Sequence, residues 1–413
     1  MTSWFPKVWP VATPILAAVV LAFSYGRYGL GTAVVVIVAV VLAVTVLAAV
    51  HHAEVVAHRV GEPFGSLVLA VAVTIIEVAL IISLSSSGGA QAETLARDTV
   101  FSAVMITMNG LVGLAILIGT LRHNTVRFNQ EGASAATMTV AALAVLTLVL
   151  PTFTTGTDDA SFTGTQLVFV AIASLVLYGL FVVTQTVAHR DFFLPVNRAG
   201  GVLVESEDAH AARPSGRTTM VSLGLLVVAL VAVVGLAKVE SPAIEAGVAA
   251  VGFPPSFVGV VIALLILLPE GIAASKAAAR NRIQTSLNLA MGSAMASIGL
   301  TIPSIAVASL FMPGTLLLGL GPSQIVLLAL TIVAAVLTVL PGRATRLQGG
   351  HGVESGVPGR SGRTGSDRAY LVGSSHQVCP KTPGIAGVLG RNGRTTAQPP
   401  NSAPELSPRR RAA

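Results

Sequence analysis

The chain has 413 residues, of which 53% are hydrophobic, 10% charged and 5% aromatic. Soluble proteins carry about 25% charged residues, so a chain of this size with so little polar surface is excluded from water and its bulk belongs in a lipid bilayer. The formal net charge of +7 and pI near 10.2 would suit a binder of nucleic acid or anionic surfaces, but the distribution excludes that. Residues 1–340 hold 14 Lys and Arg against 15 Asp and Glu, whereas residues 341–413 hold 11 against 3. The single cysteine, Cys379, lies in the tail, so no disulfide closes within the chain.

A transmembrane helix needs about 20 mostly apolar residues. Ten stretches qualify, at about 10–25, 30–50, 64–86, 100–121, 136–153, 165–187, 219–237, 255–275, 285–311 and 321–340. The first does not read as a cleavable signal peptide, because its flank holds only Lys7 and no small-residue cleavage site precedes a polar domain. With the N-terminus inside, the inner segments hold eleven Lys and Arg, among them Arg59, Arg122, Arg190 and Lys276, and the outer loops only Arg27, Arg97 and Lys238. The excess of positive charge on the inner side therefore predicts a cytoplasmic N-terminus.

The longest internal loop, about 188–218, contains Glu205, Glu207, Asp208 and His210. It reads as a solvated linker, with a weak cytosolic cation sensor as the sharper alternative. The segment 341–413 holds 13 Gly and 8 Pro and no apolar run long enough to span, a composition that cannot bury a core and predicts a basic, disordered tail.

Two carboxylates fall well inside the spans: Glu77 in GEPFGSLVLAVAVTIIEVALIIS (61–83) and Glu270 in FVGVVIALLILLPEGIAASKAAARNR (257–282). A charge at the bilayer centre costs roughly 2.5–3.5 kcal/mol on insertion scales, and no intramembrane Lys or Arg is at hand to neutralise either. The bland alternative for each is a protonated side chain bonded to a neighbouring helix. Their settings match, however. Each Glu lies 13 or 14 residues after the start of its span, and each helix is followed by one rich in small and polar residues. The first partner carries Ser102, Thr107 and Asn109, the second Asn288, Ser293, Ser297 and Thr301; small residues let helices approach and the polar ones supply oxygens. The charge distribution runs the first Glu helix outward and the second inward, so the two hairpins have opposite topology, as in the inverted repeats of many secondary transporters. Counted from the span starts, each Glu would sit past the midplane on opposite sides, and tilt or a start in the headgroup layer brings them together.

Pro269, just before Glu270, removes one helical hydrogen bond and frees a carbonyl of the preceding turn; in a protein-lined cavity a freed carbonyl can bind a cation. The bland alternative is a simple kink. Glu77 has no preceding proline, but Thr74 offers a hydroxyl or a carbonyl in its place. Two carboxylates with carbonyl, hydroxyl and amide oxygens make a site for a hard cation such as Ca²⁺. The absence of Cys from the membrane region and of His near either Glu argues against a soft metal. Desolvation disfavours the charged carboxylate, so the same pair takes protons when the cation leaves, a physical basis for cation/proton exchange. His51, His52, Glu54 and His58 sit at the inner end of the second span. Their spacing is not the HExxH zinc signature. It places His51, Glu54 and His58 on one face, either as an interfacial helix end or, with His51, His52 and His58 titrating near neutral pH, as a pH sensor at a cytosolic gate.

At these residues the sequence resembles the calcium/proton antiporters of the cation/calcium exchanger superfamily, in particular the bacterial ChaA type. The stretches that carry the resemblance are HAEVVAHRVGEPFGSLVLAVAVTIIEVALI (52–81), ARDTVFSAVMI (96–106) and ALLILLPEGIAASKAAARNRIQTSLNLAMGSAMASIGLTIP (263–303). The resemblance implies an all-α polytopic fold of one leading helix (1–28) and two inverted-topology repeats of the sodium/calcium-exchanger type (29–187 and 219–340), separated by the 188–218 loop. It further implies a multi-pass protein of the bacterial plasma (inner) membrane that exports Ca²⁺ against H⁺, with Na⁺ and K⁺ as further substrates of the ChaA type. No cofactor, enzyme activity or nucleic-acid partner is expected beyond the transported ions and the lipid. By position Glu77 and Glu270 match the acidic residues of the two repeats and Ser293 a polar residue lining the second; Ser102, Asn109, Asn288 and Ser297 are weaker matches. Three alternatives stay open: a Na⁺(K⁺)/H⁺ antiporter using the same glutamates, a passive cation channel, and an intramembrane enzyme, for which no GxSxG, HExxH or paired transmembrane Asp is present.

After LPGRATRLQGG (340–350) the family continues into an eleventh apolar helix, whereas here the chain runs into HGVESGVPGRSGRTGSDRAYLVGS. This Arg/Gly/Pro-rich text reads as GC-rich DNA translated out of frame, and the repeat logic pairs the missing helix with the sixth. Translation of the other two frames downstream of codon 350 is expected to yield an apolar stretch of about 20 residues; its absence from both frames would exclude the frameshift.

Overall fold

The structure, a computed structural model, describes residues 5–27, 31–61, 64–85, 93–156, 160–196, 214–311 and 316–345. All of them belong to one unit, Met1–Gly356. The described residues form ten long helices: α1 (Phe5–Ser24), α2 (Thr32–Val60), α3 (Phe64–Ser85), α4 (Leu95–His123), α5 (Gln130–Phe153), α6 (Gly164–Ala188), α7 (Gly216–Ala250), α8 (Phe257–Ala279), α9 (Ile283–Ala308) and α10 (Pro322–Val339). From α2 to α10 each is long and apolar enough to cross a membrane, and α1 contributes a shorter apolar stretch, Val8–Ser24. The protein is an all-α, multi-pass membrane protein.

The ten helices fall where hydropathy places the ten spans, but several run further. α2 continues to Val60 and α7 to Ala250, because hydropathy marks the lipid-facing length and stops at a charge, whereas a helix continues as long as its backbone bonds are satisfied. Turn chemistry ends or starts several of them. Gly61, at φ 79°, closes α2 in a conformation that favours glycine. Asn129 caps α5 by accepting from the Glu131 and Gly132 amides, and Thr163 with Gln166 forms a capping box on α6. Within α4, α5 and α6 the helical repeat widens to π geometry over Ile106–Leu111, Val145–Val149 and Thr184–Ala188.

Two packed clusters make up the interior. One gathers α4, α5, α6, α9 and α10, the other α1, α2, α3, α7 and α8. They are joined crosswise: α3 packs on α9, and α8 on α4. Small residues permit these crossings. A Cβ at Gly259 of α8 would stand 2.7 Å from the Asp98 backbone of α4, so only glycine fits there. Successive spans reverse direction, and five connections separate α3 from α8, so these two helices run oppositely. The α3–α4 and α8–α9 hairpins thus have opposite topology.

Proline shapes α1. Pro14 has no N–H to give the Pro10 carbonyl, and the His52 Nε2–H of α2 donates to that carbonyl at 2.9 Å. A buried backbone acceptor that its own helix cannot satisfy is thereby satisfied by a neighbouring helix.

Two segments expected outside the membrane body are partly folded into it. In the 188–218 loop, a 3₁₀ turn at Arg190–Phe193 returns Phe193 to the interior, edge-on to Phe181 at 5.5 Å. After α10, Arg343–Ala344 pairs antiparallel with Val126–Arg127 that follows α4, so residues 343–344 form a strand rather than the start of a tail. Glu205, Glu207, Asp208, His210 and the chain beyond residue 345 lie outside the described residues.

At Gly299 of α9 a Cβ would stand 2.6 Å from the Tyr178 Cβ of α6. Gly299→Ala must therefore part these helices, at the roughly 1–3 kcal/mol typical of overpacking. The purified protein in detergent is expected to unfold at a lower temperature, while Gly224→Ala, with nothing within 4 Å of its Cβ, leaves the transition in place.

Candidate cation site

The crosswise packing of the two hairpins encloses a cavity of about 320 Å³, walled by α2, α3, α6, α8 and α9 with Ala103 of α4 at its floor. Glu77 and Glu270 both line it. The wall is otherwise mostly apolar. Its oxygen-bearing groups near the two glutamates are Thr74 of α3 and Asn288, Ser293 and Ser297 of α9.

The carboxylates are held differently. Glu77, only 2% exposed, accepts at both oxygens: Ser297 Oγ donates to Oε1 at 2.6 Å and Thr301 Oγ1 to Oε2 at 2.9 Å. These donors are four residues apart on α9, hence on one face, and they reach across from the second hairpin to the carboxylate of the first. Glu270 has no such clasp; its Oε2 is buried without a hydrogen-bond partner among the described residues. A buried polar oxygen left bare is costly, which marks Glu270 Oε2 as the side of the pair with coordinating capacity to spare. Pro269 precedes it on α8 and also lines the cavity.

The remaining candidates separate into those the fold gathers and those it does not. Thr74, Pro269, Asn288, Ser293 and Ser297 are in the cavity wall. Asn288 is oriented by both ends of its amide: its Nδ2 donates to the Phe193 carbonyl at 2.7 Å and its Oδ1 accepts from Gln284 at 2.9 Å. Ser102 turns back on its own helix and donates to the Asp98 carbonyl at 2.6 Å. Asn109 sits in the π segment of α4 and donates to Thr331 Oγ1 of α10 at 2.9 Å and to the Met105 carbonyl. Neither Ser102 nor Asn109 lines the cavity. The face shared by His51, Glu54 and His58 is divided by the neighbours of α2. Glu54 lines the cation cavity, whereas His51 and His52 line a separate pocket with Pro10 of α1 and Arg217 of α7. His52 is thus a tie to α1, and His58 is exposed at the helix end.

Two side chains take a place in the site that spacing alone does not single out. Thr301 was one polar residue among several on α9; its i+4 spacing from Ser297 was the available signal. Glu54 was grouped with histidines, and its spacing of four from the apolar Val50, which also lines the cavity, carries no chemical signal.

The chain matches the sodium/calcium exchanger protein family over residues 30–187 and 221–351, and it belongs to that family. It is 44% identical over 347 residues to a Sinorhizobium fredii protein named as an ionic transporter, y4hA, covering 83% of this chain and 92% of that protein. It is 34% identical over 341 residues to the sodium-potassium/proton antiporter ChaA of Escherichia coli, covering 81% and 90%. Among solved structures, native YfkE aligns with a TM-score of 0.59 at 16% identity over 83% of this chain and 94% of that one. The H⁺/Ca²⁺ exchanger CAX aligns with a TM-score of 0.58 at 15% identity over 84% and 85%. At that identity these two share the fold. The chain is a membrane antiporter of the cation/calcium exchanger superfamily.

Loss of one hydrogen bond to a charged acceptor costs about 1.5–3 kcal/mol. Thr301→Val is therefore expected to lower cation-dependent transport by roughly tenfold or more, and Thr301→Ser, which keeps the hydroxyl, to retain most of it. Radiolabelled cation uptake into everted membrane vesicles reads both.

Proposed function

We propose that the chain exchanges Ca²⁺ for H⁺ across a bacterial inner membrane by alternating access, with its N-terminus in the cytoplasm and with Glu77 and Glu270 binding either the cation or protons. The observation that carries this reading is the pairing of two carboxylates from oppositely directed hairpins in one membrane-embedded cavity. A divalent cation neutralises both charges, and so does protonation of both groups. Occupancy by one excludes the other because they compete for the same oxygens. Thr74, Ser293 and Ser297 in the cavity wall add hard oxygen donors of the kind Ca²⁺ takes.

Access from one side favours an exchanger over a channel. The polar lining runs from the glutamates toward the C-terminal ends of α2, α6 and α8 and the N-terminal ends of α3 and α9. Past the glutamates, α3 continues into buried Leu80, Ile81 and Leu84, and α9 into buried Ile298, Ile302 and Ile305. With the N-terminus inside, the cavity opens to the cytoplasm and the apolar plug faces outward.

A second reading is a Na⁺(K⁺)/H⁺ antiporter using the same carboxylates. The name of the E. coli relative, a sodium-potassium/proton antiporter, favours it, while a Ca²⁺/H⁺ antiporter of Aphanothece halophytica is 24% identical over 262 residues.

Everted vesicles with an imposed proton gradient are expected to take up ⁴⁵Ca²⁺, and Glu77→Gln or Glu270→Gln to abolish that uptake. Competition by Na⁺ and K⁺ at equal concentration ranks the cations. Uptake that survives both substitutions removes the two residues from the mechanism, and cation conductance without proton dependence would replace the exchanger by a channel.

A further inference from the structure

A third carboxylate reaches the cavity. Glu54, in the last turns of α2, lines the same cavity as Glu77 and Glu270, but unlike them it is exposed. It lies close enough to Glu270 for the two charges to act on one another. It is also within electrostatic reach of His58, one turn further on α2, and of Lys276 on α8. Lys276 is six residues beyond Glu270, about 9 Å along the helix axis toward the C-terminal end, so Glu54 stands on the mouth side of Glu270. No hydrogen bond or ion pair fixes its side chain among the described residues.

The groups around Glu54 leave it a distinct role. Between the glutamates and the mouth the wall is largely apolar, with Leu69, Val73 and Leu289 facing inward, and its polar members there are Asn288, Thr285, Gln185 and Thr186. None of these four titrates near neutral pH. The titratable and charged groups that face the region are Glu77 on α3, Tyr178 on α6, Glu270 and Lys276 on α8, and His58 on α2. The remaining candidates near α2, His51 and His52 with Arg217 of α7, belong to the separate pocket toward α1.

We infer that Glu54 is a proton relay at the mouth of the cavity, passing protons between Glu270 and solvent. This rests on the exchanger reading proposed above. A proton released by Glu270 crosses the cavity through water to the Glu54 carboxylate, which becomes the neutral acid and then releases the proton to bulk water, regaining its charge. Lys276 stands as a counter-charge within electrostatic reach of Glu54. A positioned acid–base group accelerates proton transfer by typically 10²–10⁴-fold, and a side chain at the rim shortens the path that water alone must cover.

The test compares two modes of transport by the full chain in everted vesicles. Net ⁴⁵Ca²⁺ or ²²Na⁺ uptake driven by a proton gradient requires proton transfer; exchange of labelled for unlabelled cation at equal pH does not. Glu54→Gln is expected to slow proton-driven uptake about tenfold or more and to change its pH profile, while cation–cation exchange stays within about twofold; Glu54→Asp restores the driven rate. Lys276→Gln is expected to change the pH profile of driven uptake while leaving exchange in place. Equal loss in both modes assigns Glu54 to the cation path or to folding and overturns the relay, as does an unchanged driven rate. An unmodified chain with no proton-driven uptake of either cation overturns the exchanger reading itself, and the relay with it.

Discussion

The structure is organised around the cost of placing carboxylates where water is scarce. Glu77 and Glu270 both lie in spans whose residues around them are apolar or small, and a charge there survives only with compensation from protein groups. The compensation comes from across the molecule. Ser297 and Thr301, on a helix of the second hairpin, donate to the carboxylate of the first. For those hydroxyls to arrive, α9 must pack directly on α3, and the matching approach of α8 to α4 depends on Gly259 having no side chain. The crossing of the hairpins, the small residues along their contact and the enclosed cavity follow from that one requirement.

The two halves answer the requirement unequally. Glu77 has both oxygens occupied, whereas Glu270 has one oxygen without a partner among the described residues. Opposite topology gives the two carboxylates comparable positions without giving them the same neighbours. In α4, Asn109 is drawn to Thr331 and Ser102 to its own backbone, so neither bonds Glu270 as Ser297 bonds Glu77. One carboxylate is held by two hydroxyls of the other hairpin, and the other lines the cavity with an oxygen that has no partner among the described residues.

The number and placement of the helices were legible from hydropathy, because a helix in lipid satisfies its own backbone and its apolar length matches the bilayer. Helix ends were less so: the last turns of α2 and α7 carry charge and continue as helix beyond the apolar core. Glu77 and Glu270 were legible for the same reason, as charges that are costly in their setting. Their donors were legible only as a class. The polar residues of α4 and α9 look alike in sequence, yet Ser293, Ser297 and Thr301 face the cavity or Glu77, while Ser102 and Asn109 do not. That difference arises from rotation of each helix about its axis, which in α4 includes the π segment at Ile106–Leu111. The histidines at the end of α2 show the same limit: spacing put His51 beside Glu54, and packing sent one toward α1 and α7 and the other toward the cavity.

By itself, the sequence determined an all-α, multi-pass membrane protein, its two glutamate hairpins, and the family whose motifs they carry, because hydrophobic length and buried charge are local properties of a chain in lipid. Only the tertiary structure decided which hydroxyls bond Glu77, that Glu270 has an oxygen without a partner among the described residues, and that Glu54 shares their cavity. Those facts depend on how helices more than 200 residues apart in sequence, such as α3 and α9, are rotated and pressed together, and no local pattern encodes that rotation.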